Sequence, residues 1–301
     1  MESTSRDVVI VGGGPAGLSA ALVLGRCRRR VLLCDSGKPR NAASLALHGF
    51  ITRDGTDPGE LRRLARSELE AYPSVEVRDV EVQHAEPAGR GFRLRLAGGE
   101  TEEARKLLIA TGVTERFPEV EGMEELYGRS VFHCPYCDGW EVRDRPIAAY
   151  GSGARGTGLA LELLAWSRDV VLCTGGGELG RAERERLGRN GVALREERLA
   201  ALEGRHGMLS RILFRSGPPL ERAALFFSTG QEQRSELAAR LGCEFNDKGT
   251  VDTGWCESTN VPGLYVAGDA SREVQFVVVA AAEGARAAFA INTALLEEDL
   301  R

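Results

Sequence analysis

The sequence lacks the marks of a nucleic-acid-binding, secreted or membrane-spanning chain. Its net charge is −5 and its Lys and Arg residues form no long stripe, so we expect no nucleic acid as partner. No apolar run approaches the roughly 20 residues that cross a bilayer. The polar residues 1–6 also lack the apolar core of a signal peptide. These absences predict a cytoplasmic protein with no membrane partner.

Cysteine is scarce, and its count of seven is odd, which argues against a secreted scaffold held together by disulfides. Four cysteines have apolar neighbours and are expected to be small buried hydrophobes: Cys27, Cys34, Cys173 and Cys243. Cys256, beside Trp255, is ambiguous. Only Cys134 and Cys137 form a motif.

A glycine-rich turn at residues 12–17 stands between an apolar run, 8–11, and a helical stretch, 18–25. A second apolar run, 31–34, ends at Asp35. Strand, glycine turn, helix, strand and acid in this order are typical of the dinucleotide-binding βαβ unit.

Each glycine of this turn has a physical reason. Gly12 permits the tight turn, Gly14 lets the backbone approach a pyrophosphate, and Gly17 lets helix and strand pack closely. The helix N-terminus then offers free N–H groups to the phosphates. Asp35 is expected to accept hydrogen bonds from the adenosine ribose.

The same order of strand, glycine turn, helix and strand recurs at residues 147–172, with its glycine turn at 151–156. Each copy is closed by a similar apolar run that ends in Thr-Gly: 107–112 in the first copy and 225–230 in the second. An internal repeat of this size predicts two similar nucleotide-binding folds. After the second copy, a strand ends in Gly268-Asp269, ahead of a helix expected to start near residue 274. A Gly-Asp pair in this place suits a flavin site.

The predicted fold class is α/β, with two Rossmann-like three-layer nucleotide-binding domains, the second inserted into the first. The expected boundaries are 1–116 for the first part of the FAD-binding domain, 117–242 for the inserted NAD(P)H-like domain that carries the Cys-x-x-Cys, and 243–301 for the second part of the FAD-binding domain.

The Cys-x-x-Cys of Cys134 and Cys137 is predicted to be redox-active. Residues i and i+3 share one helical face, Pro135 suits a first helical turn, and a helix N-terminus favours a thiolate. Asp138 directly follows and could carry the proton that thiol–disulfide exchange requires. Neither a second Cys-x-x-Cys nor a nearby His pair is present, so no metal site is expected. The roles of His48, His133, Tyr136 and Trp140 stay open.

The order of these motifs resembles the low-molecular-weight thioredoxin reductases over almost the whole chain. The resemblance implies a homodimer, with Cys137 nearer the flavin and Cys134 meeting the substrate. The residues assigned to FAD are Gly12, Gly14, Pro15, Ala16, Gly17, Asp35, Ala110, Thr111, Gly112, Gly268, Asp269, Gln275 and Phe276.

The second nucleotide unit departs from that family. NADPH-using members carry a basic cluster after its second strand, whereas residues 173–178 here contain no arginine. Arg155 also enlarges the turn in which small residues normally admit the pyrophosphate. Whether NAD(P)H binds is therefore left open.

Residues 48–55, 134–141 and 267–275 are similar to the flavin dithiol oxidases of the gliotoxin, holomycin and romidepsin type, although many of those have His where this chain has Asp138. The favoured hypothesis is FAD-dependent oxidation of a substrate dithiol with dioxygen as the final acceptor. The alternatives are a disulfide reductase fed by NAD(P)H or a protein donor such as ferredoxin, and a non-enzymatic flavin redox sensor. The expected partner is a small-molecule or peptide dithiol or disulfide, or a thioredoxin-like protein.

Overall fold

The computed structural model describes residues 6–271 and 274–301. The strands are β1 Arg6–Val11, β2 Val31–Cys34, β3 Val75–Arg78, β4 Val82–Ala88, β5 Gly91–Leu96, β6 Thr101–Ile109, β7 Val113–Glu115, β8 Val131–Phe132, β9 Ile147–Tyr150, β10 Val170–Cys173, β11 Ala193–Arg195, β12 Leu199–Arg205, β13 Met208–Phe214, β14 Leu220–Glu221, β15 Ala224–Phe227, β16 Gln231–Gln233 and β17 Leu264–Val266. The helices are α1 Pro15–Arg26, α2 Pro58–Leu69, α3 Met123–Leu126, α4 Pro135–Asp138, α5 Gly153–Glu162, α6 Arg181–Arg189, α7 Leu237–Arg240 and α8 Val277–Asp299.

The chain divides into two units. Unit 1 comprises Met1–Ala42, Gly49–Thr114 and Glu232–Arg301, and unit 2 comprises Ala43–His48 and Glu115–Gln231. The α/β class with two Rossmann-like folds is thereby confirmed.

Unit 1 is built on a sheet in the order β3-β2-β1-β6-β5-β4, with β17 also paired to β6. The strands β1, β2, β6 and β17 run parallel, and their carboxyl-terminal residues, 8–11, 31–34, 107–109 and 264–266, are apolar and buried, as in strands that are covered on both faces. Their carboxyl ends therefore meet at one edge, where open α/β sheets bind ligands.

The helix α8 corrects one expectation from the sequence, because it is long and apolar enough to cross a membrane by length and composition. In the structure, one face of this helix is part of the core of unit 1, where Ala287, Ala288 and Ile291 are fully buried. A Cβ on Gly284 would lie 1.9 Å from the Ala16 carbonyl oxygen. The small residues of α8 thus allow its close packing on α1.

Unit 2 contains a parallel sheet in the order β11-β10-β9-β15-β8 and an antiparallel sheet of β12, β13 and β14. One apolar core includes Ile147, Leu172 and Phe226, and a second lies beneath the antiparallel sheet around Ile212. The turn after β9 and the loop after β10 lie at the carboxyl edge of the parallel strands.

The division into units differs from the predicted boundaries: residues 43–48 fall in unit 2, and the first chain crossing lies at 114/115 instead of 116/117. The second chain crossing lies at 231/232 instead of 242/243, because Leu237 and Leu241 of the α7 region pack into the core of unit 1. The last helix begins at Val277 instead of near residue 274.

The cysteine environments agree with the sequence except at one position. Cys34, Cys173 and Cys243 are buried as expected, and the ambiguous Cys256 is buried too. Cys27 is exposed, because it caps the carboxyl end of α1.

Candidate active site

The predicted dinucleotide-binding segments of unit 1 come together at the carboxyl edge of its sheet. Gly12, after β1, has φ +116°, and a Cβ there would lie 2.3 Å from the carbonyl oxygen of Ala110, after β6. A Cβ on Gly112 would lie 3.9 Å from the Cβ of Asp269, after β17. Three segments that are far apart in sequence thus form one edge.

The start of α1 has the form of a phosphate cradle. Gly14 precedes the helix without a side-chain cap, Pro15 occupies its first turn, and a Cβ on Gly14 would meet nothing within 4 Å. A Cβ on Gly17 would lie 1.9 Å from the Gly12 carbonyl oxygen, so glycine is required for the close packing. The start of α1 is therefore uncapped and has room beside Gly14, and the N–H groups of a first helical turn are suited to bind an anion.

Asp35 is held in its charged form by two arginines that the sequence did not reveal. Arg62 and Arg66 of α2 each donate to Asp35 Oδ2, at 2.6 and 2.7 Å. Burial opposes ionisation of Asp35, but the Gly37 N–H and the two guanidinium groups outweigh it, and the pKa is lowered. An ionised carboxylate at the end of β2 is the acceptor that a ribose hydroxyl needs.

The side-chain oxygen of Thr111, at this edge, lacks a protein partner. Within the two described stretches of the chain, Thr111 Oγ1 is buried without a hydrogen bond, a situation that usually indicates a water or ligand partner. Gln275 Nε2 donates to the Asp269 carbonyl oxygen at 3.2 Å, and Phe276 caps α8. Together with the phosphate cradle, these residues fit a flavin dinucleotide.

The Cys-x-x-Cys of unit 2 forms a disulfide, and the Cα atoms of Cys134 and Cys137 lie 5.3 Å apart. As predicted, a helix begins here: Cys134 caps α4, and Pro135 stands in its first turn. The Cys137 N–H donates to Cys134 Sγ at 3.2 Å. This donor would also stabilise a thiolate on Cys134 when the bond is reduced.

Asp138 occupies an environment that favours its neutral form. Burial raises its pKa to about 7; the charge of Glu141 acts in the same direction, while that of His48 opposes it. A carboxyl group with a pKa near the working pH can both give and take a proton. This environment is compatible with the proton-transfer role of Asp138, which stays a prediction.

His48 joins this group although it is distant in sequence. Residues 43–48 belong to unit 2, and His48 Nε2 lies 3.4 Å from Glu141 Oε1. The sequence left the role of His48 open, because only the path of the preceding loop shows which side chains it meets.

The other aromatic neighbours of the cysteine pair fall into two groups. His133 Nδ1 lies 2.9 Å from the Tyr127 hydroxyl and its Nε2 lies 3.6 Å from the buried Glu115 carboxylate, so polar contacts hold the imidazole on both sides. Tyr136 and Trp140 are 65% and 63% exposed. Both rings are braced: Tyr136 contacts Trp166 edge-on, and the Arg143 guanidinium stacks on Trp140.

The second glycine turn is closed by the loop that follows β10. The Gly153 N–H, at the start of α5, donates to the Glu178 carbonyl oxygen at 3.2 Å. A Cβ on Gly177 would lie 2.4 Å from the Ser152 Cβ, and one on Gly175 would lie 2.7 Å from the Tyr150 hydroxyl oxygen. Gly175 and Gly177 thus let the loop pack directly on the end of β9 and on the turn that follows it.

Arg155 further narrows the space beside the second glycine turn. Its Nη1 lies 3.7 Å from the position that a Cβ on Gly230 would take, beyond the end of β15. The side chain therefore reaches across the sheet edge at which a pyrophosphate would enter.

The sequence profile described as pyridine nucleotide-disulphide oxidoreductase matches residues 6–284. The chain belongs to this family. Thioredoxin reductase tcpT of Claviceps purpurea is 31% identical over 304 residues, which cover 97% of this chain and 95% of the relative. The structure of HlmI is similar with a TM-score of 0.95 and 36% identity, covering 100% of this chain and 95% of HlmI. An oxidoreductase from Agrobacterium tumefaciens has a TM-score of 0.90 and 33% identity, covering 97% and 99%.

As a pyridine nucleotide-disulphide oxidoreductase of the thioredoxin-reductase type, the chain is a flavin-dependent thiol/disulfide oxidoreductase. Thioredoxin reductases of this family are flavoproteins. The predicted relationship to the thioredoxin reductases is confirmed, and the Cys134–Cys137 disulfide agrees with a redox-active Cys-x-x-Cys. The roles of the individual site residues stay predictions.

Proposed function

We propose that the chain oxidises a substrate dithiol to a disulfide through Cys134 and Cys137, with FAD as its cofactor and dioxygen as the final electron acceptor. The closed second glycine turn is the observation that carries this direction of electron flow. Because the Gly153 N–H already bonds the Glu178 carbonyl, a pyrophosphate could bind there only after the loop moved away. A cycle driven by a substrate dithiol and dioxygen needs no nicotinamide.

The unit 1 edge would hold FAD, which when bound supplies two-electron transfer from a reduced cysteine pair to dioxygen. The start of α1 would bind the pyrophosphate, and Asp35 would accept from the adenosine ribose. Asp269 and Gln275, next to each other in the structure, would contact the flavin half.

The thiol–disulfide steps follow from the contacts in unit 2. A substrate thiolate attacks Cys134 Sγ, the Cys134–Cys137 bond breaks, and Cys137 leaves with the bonding electron pair. Asp138, neutral in part near pH 7 because its pKa is about 7, gives that sulfur a proton. The second substrate thiol then attacks the mixed disulfide, which releases the substrate disulfide and a Cys134 thiolate held by the Cys137 N–H. Overall, the dithiol loses two electrons and two protons, and dioxygen gains them as hydrogen peroxide.

The substrate side of the pair suits a dithiol with an apolar body. Tyr136 and Trp140 are exposed and braced, and rigid aromatic rings provide contact area at low entropic cost. We infer a small-molecule or peptide dithiol as substrate, and a homodimer in the cytoplasm as the working form.

Anaerobic mixing of the purified protein with NADPH, NADH and dithiothreitol, followed by the visible absorbance of the flavin, tests the proposal. We expect dithiothreitol to bleach the flavin and NAD(P)H to leave it unchanged, and air to restore the colour with release of peroxide. Bleaching by NADPH or NADH within seconds would instead establish a reductase.

One observation favours that second candidate, a disulfide reductase fed by NAD(P)H or by a protein donor such as ferredoxin. A cavity of about 400 Å³ lies beyond the end of β10, lined by Gly176, Gly177, Glu178, Leu179, Arg184 and Glu196. Arg184 is its cation, but it is paired to Glu196 through two hydrogen bonds of 2.8 and 2.6 Å. A nucleotide phosphate would have to displace that carboxylate, so we rank the oxidase first.

A further inference from the structure

Arg40 connects the segment after β2 to the flavin edge of unit 1. Its Nη1 donates to Asp269 Oδ2 at 2.8 Å and to Gln275 Oε1 at 2.7 Å. The side chains of Arg40 and Asp269 are only 16% and 20% exposed. Since Gln275 also donates to the Asp269 carbonyl oxygen, each of the three residues is hydrogen-bonded to the other two.

The positive charge of Arg40 would favour the binding of a dinucleotide at this edge. FAD brings the negative charges of its pyrophosphate to an edge that already carries two carboxylates, Asp35 and Asp269. Like charges in a partly buried site repel strongly. Asp35 is offset by Arg62 and Arg66, and Asp269 is paired with Arg40.

We propose that Arg40 is an FAD-positioning residue, which offsets the charge of Asp269 and holds Asp269 and Gln275 in the arrangement that FAD binding requires. The inference rests on the proposed function only in taking unit 1 to bind FAD. It is independent of the direction of electron flow and of the final acceptor.

Titration of FAD into the flavin-free protein, followed by the quenching of flavin fluorescence, tests the role of Arg40. We expect Arg40→Gln to raise the FAD dissociation constant about tenfold or more, because a charged hydrogen-bond pair is lost. Arg40→Lys should bind FAD better than Arg40→Gln, because it keeps the charge, but less well than wild type, because lysine lacks the planar fork.

Arg63→Gln is the matched control. Arg63 also makes two hydrogen bonds to a carboxylate, at 2.7 Å each to Glu60, but on the exposed surface of α2. The control should bind FAD as wild type does, and the melting temperature of the flavin-free protein separates a loss of binding from a loss of folding.

A double-mutant cycle isolates the charge argument. If Arg40 offsets Asp269, then adding Arg40→Gln to Asp269→Asn should cost clearly less in FAD affinity than Arg40→Gln costs in the wild type, because the contact with Gln275 is still lost but the pair with Asp269 is not. The double variant also tests the proposal if Arg40→Gln alone fails to fold. With Asp269→Asn in place, removing Arg40 leaves no uncompensated Asp269 carboxylate at the edge.

The outcomes are distinguishable. FAD binding by Arg40→Gln equal to that by Arg63→Gln would overturn the inference and leave the proposed function intact, as would a full tenfold loss in the Asp269→Asn background. Failure of the wild-type protein to bind FAD would overturn the inference together with the FAD-dependent function.

Discussion

Replacing Asp138 by asparagine should slow reduction of the Cys134–Cys137 disulfide about 10²-fold or more near pH 7, the usual contribution of a general acid. Burial and the charge of Glu141 raise the pKa of Asp138 from 3.8 to about 7, against the opposing charge of His48. At pH 7 about half of the molecules therefore carry the neutral acid, against on the order of one in a thousand at the unperturbed pKa. Asparagine keeps the shape of the side chain but cannot supply the proton.

Stopped-flow mixing with dithiothreitol, from about pH 5 to about pH 9, measures this effect. Because the thiol of the reagent titrates in the same way with both proteins, the informative quantity is the ratio of wild-type to variant rate. That ratio should be large at low pH and fall as the pH rises through about 7, where Asp138 loses its proton. A ratio that is constant over the whole range would refute proton transfer by Asp138 and indicate a structural role.

Stability provides an independent measurement with a defined sign. Because the folded pKa of Asp138 lies above its ordinary value of 3.8, the folded state binds the proton more tightly, and stability falls as the pH rises from about 4 to about 7. The largest possible change in the free energy of unfolding is about 4 kcal/mol, because each unit of pKa difference between the folded and unfolded states corresponds to about 1.4 kcal/mol. Solvent screening of this half-buried group reduces that value. Asp138→Asn should therefore gain stability relative to wild type between these pH values, whereas Asp247→Asn, at an exposed turn, should not.

The neighbours of Asp138 allow an opposed pair of variants. Removing the charge of His48 with His48→Gln should raise the pKa seen in the rate profile, and Glu141→Gln should lower it, because the two charges act on Asp138 in opposite directions. Shifts in the same direction would contradict this electrostatic account.

Two further predictions concern the cysteine pair and the closed loop. Cys134→Ser should abolish turnover, and Cys137→Ser should accumulate a mixed disulfide with the substrate, visible as added mass without reductant; normal turnover in either variant would exclude the redox pair. Gly177→Ala should destabilise the protein by about 1–3 kcal/mol through overpacking, measured by denaturant unfolding. Its control is Gly188→Ala, where a Cβ meets nothing within 4 Å in the helix α6, so that an equal effect in both would contradict the close packing of the loop.

The fold was predictable because its decisive signals are local. One short stretch contains the glycine turn at 12–17, its flanking strands and Asp35. The repeat at 147–172 predicts the second nucleotide-binding fold in the same way. The crossing at 231/232 was missed because α7 has only four residues, too few for a periodic pattern, and its unit is decided by what Leu237 packs against.

The candidate site was predictable as far as its residues belong to motifs. Arg40, Arg62 and Arg66 were missed because arginines in a loop and on an amphipathic helix look like ordinary surface charges. Only the folded chain shows that all three point at acids of the dinucleotide edge. The pKa of Asp138 likewise depends on burial and on His48, which no spacing rule connects with it.

The two glycine turns show why a motif predicts a turn more securely than it predicts a ligand. Both begin a helix after a parallel strand, and a Cβ on either Gly14 or Gly153 would meet nothing within 4 Å. The difference is that the Gly153 N–H donates to the Glu178 carbonyl oxygen. Binding a pyrophosphate at the second turn would first cost that hydrogen bond, about 0.5–1.5 kcal/mol, and then the contacts of Gly175 and Gly177. Among the residues that the structure describes, no loop carbonyl accepts from the Gly14 N–H at the first turn. The glycines at 175–177, where NADPH-using relatives carry basic residues, are thus the local cause of the nicotinamide independence that we propose.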